Sequence, residues 1–323
     1  MKTFIYCGGN TMDNLGNGFL DIGALYQLKK VFPNSKIISI SNTSAEKTYF
    51  FGAKHGFRQL NKGRKNRFDL RNQFEGDYYV FTAACLCDSW FAINKDFLEW
   101  LSENQFPIII LGASGSDSGS LKYDKSELDR IRKKISKLNI FLLISRDRDT
   151  YEIFSDLSTH SFDGVDCAMY LNDAFNISKM KQQDFDVFTF DSMKEPNIIS
   201  DKKIIRLSHK VSDVDSLSRT IRHPKLVTGL MYKRDWVSDF PEDYLNIYSN
   251  CNIVYSDRVH ACVAGIIFGK KAMYFGNSPR SGLLSRVLGD KPFMERPVSA
   301  DLLFIESEKK KQLDFLKSCV ERD

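Results

Sequence analysis

Two strand-to-helix turns carry the side chains of this sequence best suited to chemistry. The first is Asn252-Ile253-Val254-Tyr255-Ser256-Asp257-Arg258-Val259-His260-Ala261. An apolar strand ends at Ser256, and a helix with Val259, Val263, Ile266 and Ile267 on its apolar face starts at once. Ser256 or Asp257 suits the cap, because a short oxygen-bearing side chain accepts from the free N–H groups of a first helical turn. Arg258 and His260 then fall in that turn, where the helix dipole disfavours cations and favours anions. A bound anion would remove the penalty. The competing reading pairs Arg258 with a nearby carboxylate and packs His260 as a neutral core side chain. The second turn is Leu142-Leu143-Ile144-Ser145-Arg146-Asp147-Arg148-Asp149-Thr150-Tyr151. Asp147 or Asp149 can cap the helix carrying Tyr151, Ile153 and Phe154. Arg146 stands at the carboxyl end of the strand, and its planar fork suits two-point capture of a carboxylate or phosphate. Local surface pairs, Arg146–Asp149 or Arg148–Asp147, are the plain alternative, and for Arg148 the preferred one.

Three loops follow strands and could approach a ligand. Cys7-Gly8-Gly9-Asn10 and Asn14-Leu15-Gly16-Asn17-Gly18 lie between the first strand and helix, where glycines let backbone come close. Their spacing is not that of a dinucleotide-binding turn. Gly112–Gly119 and Gly276-Asn277-Ser278-Pro279-Arg280 are the other two. Charge is uneven at Lys62, Arg64, Lys65, Arg67 and Arg71, and again at Lys309, Lys310 and Lys311. Both runs read first as solvated faces, and second as attraction to a phosphorylated acceptor or an anionic membrane surface. Neither has the interleaved aromatics of a single-strand nucleic-acid groove.

The elements that must position these turns alternate along the chain. Strand-length apolar runs occur at Thr3–Cys7, Lys36–Ile40, Tyr78–Ala84, Pro107–Leu111 and Asn139–Ser145. Several are apolar at nearly every residue, which suits strands covered on both faces. Phe19, Ile22, Leu25, Leu28 and Phe32 recur at helical spacing, as do Leu128, Ile131, Ile135 and Leu138. A polar stretch from Leu171 to Lys203 reads as a crossover, after which Ile204–Leu207, Leu226–Met231, Asn252–Tyr255 and Lys271–Phe275 resume the strands. Helices are expected at Asp257–Phe268, Ser281–Leu288 and Ser307–Val320. The rhythm predicts an α/β fold of two facing Rossmann-like domains, residues 1–175 and 176–323, with a helical tail. Ligands of such sheets bind beyond the carboxyl ends of the strands, in a central cleft.

Bulk properties narrow the class. The chain has 323 residues, 42% hydrophobic and 27% charged, enough for two cores without a metal or disulfide staple. A net charge of +5 is too mild to imply nucleic acid. No apolar run approaches a membrane span, and the start reads as a strand rather than a leader. Seven scattered cysteines argue for a reduced, cytoplasmic compartment.

Taken together, Asn14-Leu15-Gly16-Asn17, Ser145-Arg146-Asp147, Asp257-Arg258-Val259-His260-Ala261 and the run Gly269–Phe275 with Gly276-Asn277-Ser278 resemble the polysaccharide pyruvyl transferases. Departures are Asn17 where the family has Asp, Val259 for Leu, and Arg280 near a usual Lys. The resemblance implies two facing Rossmann-like domains as in GT-B glycosyltransferases, with the N-terminal one on the acceptor side and the C-terminal one on the donor side. It implies transfer of a pyruvyl group from phosphoenolpyruvate to hydroxyls of a sugar in a cell-surface polysaccharide or its precursor, giving a ketal. No metal or further cofactor is expected. The acceptor would be nucleotide-, lipid- or polymer-linked, and the enzyme cytoplasmic or peripheral at the inner face of the membrane. His260 is then the general acid or phosphate partner. Arg146 and Arg258 hold phosphate and carboxylate, and Asp13 or Asp21 deprotonates the sugar hydroxyl. Asn14, Gly16, Asn17, Asp257, Asn277, Ser278 and Arg280 complete the expected substrate contacts. His260→Ala and Arg146→Ala are each expected to stop phosphate release with the thermal midpoint nearly unchanged. The rival readings are a GT-B glycosyltransferase using a nucleotide sugar and a non-catalytic glycan-binding relative.

Overall fold

In the computed structural model the described residues are 1–8, 15–41, 69–115, 123–209, 235–236, 238, 240–276, 281–289 and 292–322. Six parallel strands form the first sheet: β1 (Thr3–Gly8), β2 (Lys36–Ser41), β3 (Tyr78–Thr82), β4 (Ile108–Ala113), β5 (Ile140–Ser145) and β6 (His160–Asp163), in the order β2-β1-β3-β4-β5-β6. Four more form the second: β7 (Phe185–Thr189), β8 (Lys203–Leu207), β9 (Ile253–Ser256) and β10 (Lys271–Tyr274), in the order β10-β9-β7-β8. Every residue of β3, β4, β5 and β7 is buried, as continuous apolar runs covered on both faces require. Strand order reverses beside β1 in the first sheet and beside β7 in the second, and sheets of this kind take ligands beside such switch points, beyond the carboxyl ends of the strands.

Helices join the strands: α1 (Leu15–Val31), α2 (Asp88–Ile93), α3 (Lys95–Glu103), α4 (Lys125–Ile135), α5 (Arg148–Phe154), α6 (Leu171–Ala174), α7 (Pro241–Asn250), α8 (Val259–Ile267), α9 (Gly282–Leu288) and α10 (Leu302–Arg322). No described helix is long and apolar enough to cross a membrane. One apolar cluster runs through both sheets, joining Phe4, Phe19, Tyr170, Phe185, Tyr244, Val254 and Leu316. α10 returns to the first sheet: Phe315 stacks on Phe162, and Gln312 accepts from the Val165 N–H and donates to Gln27. A division by chain order alone places this tail with the second sheet.

Several expectations are corrected. The polar stretch 171–203 is not a plain crossover, because it contains β7, which lies between β9 and β8 in the second sheet; its five residues are too short a run to stand out between polar flanks. β6 lacks apolar continuity because it is a half-exposed edge strand. α1 buries Leu15, Phe19, Leu20, Ala24, Gln27 and Leu28, whereas Ile22 and Leu25 only pack at its margin. The tail helix starts five residues before the expected Ser307. Lys309 is not part of a solvated face: it is buried against Asp173, Glu306 and the Tyr170 ring. Arg71 is likewise buried, paired with Asp69 and lying over Phe97. The other residues of that basic run, and Leu226–Met231, lie outside the described residues.

Candidate active site

β5 delivers Arg146 to the carboxyl edge of the first sheet, 2% exposed. Its backbone N–H donates to Ala113 at the end of β4. One terminal nitrogen donates to Asp166 at 3.2 Å and the other to Ser114 at 2.7 Å. Asp147 caps α5 by accepting from the Thr150 N–H at 2.8 Å, as its type and place allow. Arg148 is a surface residue paired with Glu152 and Asp163, so the plain reading holds for it with different partners.

Asp166 went unnoticed in the sequence, where it is an isolated acid between β6 and a short 3₁₀ turn, Cys167–Tyr170. It caps that turn through the Ala168 N–H, and its other oxygen meets Arg146 from one side and His260 Nε2, at 3.7 Å, from the other. Thus Arg146 and His260, 114 positions apart, are separated by one carboxylate oxygen. Burial opposes ionisation of Asp166, but His260 and Arg146 outweigh it and hold its carboxyl at about 2. Burial also opposes the charge on Arg146, and Asp166 outweighs it in turn.

The turn at 252–261 differs from expectation in its cap. α8 begins at Val259, and Arg258 is the capping residue, without a side-chain bond to the turn. Asp257 instead accepts from the N–H groups of Asp191, Ser192 and Met193, fixing the loop that follows β7. Ser256 accepts from the Arg258 N–H and donates to the Thr189 carbonyl. His260 sits in the first turn, 8% exposed, as expected. Arg258 pairs with Asp191 at 3.0 Å through Nε alone, which leaves both terminal nitrogens beyond the carboxylate. It therefore satisfies the competing reading and still presents donors.

Asp191, also missed, collects Arg258, the Ser208 hydroxyl and the His209 N–H. These partners lower its carboxyl against the opposing effect of burial. His209 is a second imidazole at this seam. Burial, with Arg258 and His260 nearby, lowers it to about 3 although Asp191 pulls the other way. Its ring is packed edge-on among Phe19, Tyr244 and Tyr248 and bonds the Tyr248 hydroxyl at 2.6 Å. Its carbonyl accepts from the Leu15 N–H, tying the start of α1 to the end of β8.

α1 forms another wall. A Cβ on Gly16 would lie 2.7 Å from His260 Nδ1, so only glycine lets the helix approach the imidazole this closely. Asn17 lies in the same first turn of α1. Asp21, a candidate base, is buried at the end of β1, and one of its oxygens accepts from the Tyr6 hydroxyl at 2.6 Å. Burial and Asp21 raise the Tyr6 phenol well above its ordinary value. Asp13, Asn14, Asn277, Ser278 and Arg280 lie outside the described residues.

The chain is similar in fold to solved structures of low sequence identity. One is a functional uncharacterized protein from Klebsiella pneumoniae subsp. pneumoniae NTUH-K2044, at 15% identity and a TM-score of 0.50, covering 90% of this chain and 91% of that one. Another is S. aureus MnaA with UDP, at 13% identity and 0.50, covering 97% and 88%. UDP-N-acetylglucosamine 2-epimerase from Rickettsia bellii follows at 12% and 0.47, covering 100% and 98%. No curated protein matches the sequence. With two parallel sheets and helices between the strands, the architecture is GT-B-like. The model of the polysaccharide pyruvyl transferase family covers residues 14–279, a span that takes in both turns, both missed aspartates and both imidazoles, and the chain belongs to that family.

Proposed function

We propose that this protein transfers a pyruvyl group from phosphoenolpyruvate to hydroxyls of a sugar, forming a ketal and releasing phosphate. The observation that carries the reading is the convergence of Arg146 and His260 on Asp166, beside an Arg258 whose terminal nitrogens extend past Asp191. Phosphoenolpyruvate carries a carboxylate and a phosphate about one carbon, so it needs two cationic contacts set close together. Arg258, one-fifth exposed, offers a two-point fork to one anionic group. Arg146 and the first turn of α8 supply the field for the other.

The chemistry then balances as follows. His260 gives a proton to the methylene carbon, which becomes a methyl group and leaves positive character on the central carbon. A sugar hydroxyl adds there and loses its proton. The bond to the phosphate oxygen breaks, phosphate leaves with the electron pair, and a second hydroxyl closes the ketal with loss of its own proton. An imidazole near neutrality suits the first step. Asp21 is the described carboxylate proposed as base, and Asp13, Asn14, Gly16, Asn17, Asp257, Asn277, Ser278 and Arg280 stay as proposed supporting contacts. The acceptor is a sugar on a nucleotide, lipid or polymer, and the donor is the small molecule that needs no further cofactor.

The test is phosphate release from phosphoenolpyruvate by the full chain, with His260→Ala and Arg258→Ala alongside. Wild-type release that both variants lose supports the reading, and full activity in either removes that residue from it. Thermal shift separates the rival donor: a midpoint raised by phosphoenolpyruvate and not by nucleotide sugars is the expected result, and the reverse identifies a glycosyltransferase.

A further inference from the structure

The functional reading leaves Asp166 without a part in the reaction, although it is the group both cations share. It is 1% exposed, and its position is set by backbone rather than by a flexible side chain. One oxygen is used by the Ala168 N–H at the head of the 3₁₀ turn. That turn is itself pressed against α1, where a Cβ on Gly23 would overlap the Cys167 carbonyl oxygen. The remaining oxygen is therefore presented at a fixed point to Arg146 and to His260 Nε2. The opposite edge of the imidazole, Nδ1, is walled by Gly16. The ring is gripped from two sides, by α1 and by Asp166.

We propose that Asp166 is a positioning residue for the transfer reaction, holding the Nε2 edge of His260 and the guanidinium of Arg146 about one point where the donor binds. The proposal rests on the phosphoenolpyruvate reading of this site and adds to it a residue that does not touch the reacting atoms. The Nε2 contact of 3.7 Å is too long for a made hydrogen bond and becomes an ion pair when the imidazole is protonated. A carboxylate at that distance favours the imidazolium over the imidazole. Among the described residues, the other titratable groups around this seam act against it or are neutral. Arg146 beyond Asp166 and Arg258 at the helix cap are cations, and His209 is held uncharged. Tyr244 and Tyr248 from α7 are buried phenols, Cys167 is a buried thiol, and Asp21 from α1 faces Tyr6. Asp191 is engaged by Arg258. Among the described residues, Asp166 is thus the carboxylate placed to favour a charged His260.

The experiment follows the His260 ring by NMR in ligand-free, isotopically labelled full chain, and compares wild type with Asp166→Asn and Asp166→Glu. In Asp166→Asn the His260 midpoint is expected to fall by at least about 1 pH unit, roughly tenfold in proton affinity. The alkaline limb of kcat/KM should fall by the same amount, with kcat lost more than KM is raised. Asp166→Glu should keep the midpoint near wild type while losing kcat, because the charge remains and the geometry does not. An unchanged midpoint in Asp166→Asn, or one in Asp166→Glu as low as in a neutral variant, overturns the proposal. If Asp166→Asn fails to fold, the Glu variant decides alone. The midpoints need no phosphoenolpyruvate, so a wild-type protein that releases no phosphate refutes the donor assignment while the comparison of midpoints still judges Asp166.

Discussion

Arg146 is the residue at which a simple test of catalysis and a test of stability cannot be separated. Its guanidinium is buried against Asp166, so Arg146→Ala leaves that interior carboxylate without its nearest cation. Breaking a buried pair in this way costs about 3 kcal/mol or more. The expectation of an unchanged thermal midpoint is therefore corrected for this variant. Denaturant unfolding of Arg146→Ala should show that loss, whereas Arg258→Ala should lose activity with a smaller change in stability, because the Arg258 side chain is one-fifth exposed and the buried Asp191 keeps the Ser208 hydroxyl and the His209 N–H. Titration belongs to the same scale. The folded carboxyl of Asp166 lies at about 2, below its unfolded value of about 3.9. Its contribution, about 2 kcal/mol, is complete above the unfolded value and disappears as pH falls toward 2. His209 also has its folded value lowered, to about 3, so the folded state binds fewer protons than the unfolded one. Stability from keeping His209 neutral is present above about pH 6.5 and is lost as pH falls through the acid range below it. Unfolding free energies measured between pH 7 and 4 should fall, and His209→Asn should flatten that slope.

Among the elements, α1 is the one whose placement the site cannot tolerate losing. Its first turn abuts His260 at Gly16, and its middle crosses the Cys167 carbonyl at Gly23. Gly16→Ala forces a Cβ to 2.7 Å from Nδ1, and the imidazole or the helix must move. Displacement of about 1 Å at a reacting group lowers rate by roughly a hundredfold. Phosphate release should fall by about that much while circular dichroism and the thermal midpoint change little. Gly23→Ala meets backbone rather than a side-chain tip, so its expected effect is on folding: reduced soluble yield or a lowered midpoint, with activity lost in proportion. α8 contributes differently. Its first turn holds a histidine at the positive end of a helix, an arrangement that Asp166 makes tolerable by standing opposite.

Across the whole molecule, one apolar cluster runs from β1 of the first sheet to β9 of the second and on to the tail helix. Two sheets that share a core should not melt apart. Calorimetry is expected to give a single transition, and two resolved peaks would show that the shared cluster does not couple them. The tail is part of that coupling. Gln312 joins α10 to Val165, one residue before Asp166, and to Gln27 of α1. The last helix thus braces both supports of His260 from behind, although it lies far from the imidazole along the chain.

The residues proposed to carry chemistry, and the strands that present them, were legible because their signals are local. A short apolar run such as Ile108-Ile109-Ile110-Leu111, rich in β-branched residues, suits a covered strand, and the places of Arg146 after Ser145 and of His260 beyond Ser256 follow from where such runs end. Pairing is not local. Asp166 and Asp191 have no pattern around them, and each gains its meaning only when β6 and β7 are set beside strands contributed by other parts of the chain. For the same reason the true cap of α8 and the burial of Lys309 escaped the sequence: Asp257 is drawn to the loop after β7, and Lys309 to Asp173, by contacts between distant segments. Local order follows from the spacing of apolar and polar residues along the chain, while the partner of each charge is decided by how the sheets close on one another.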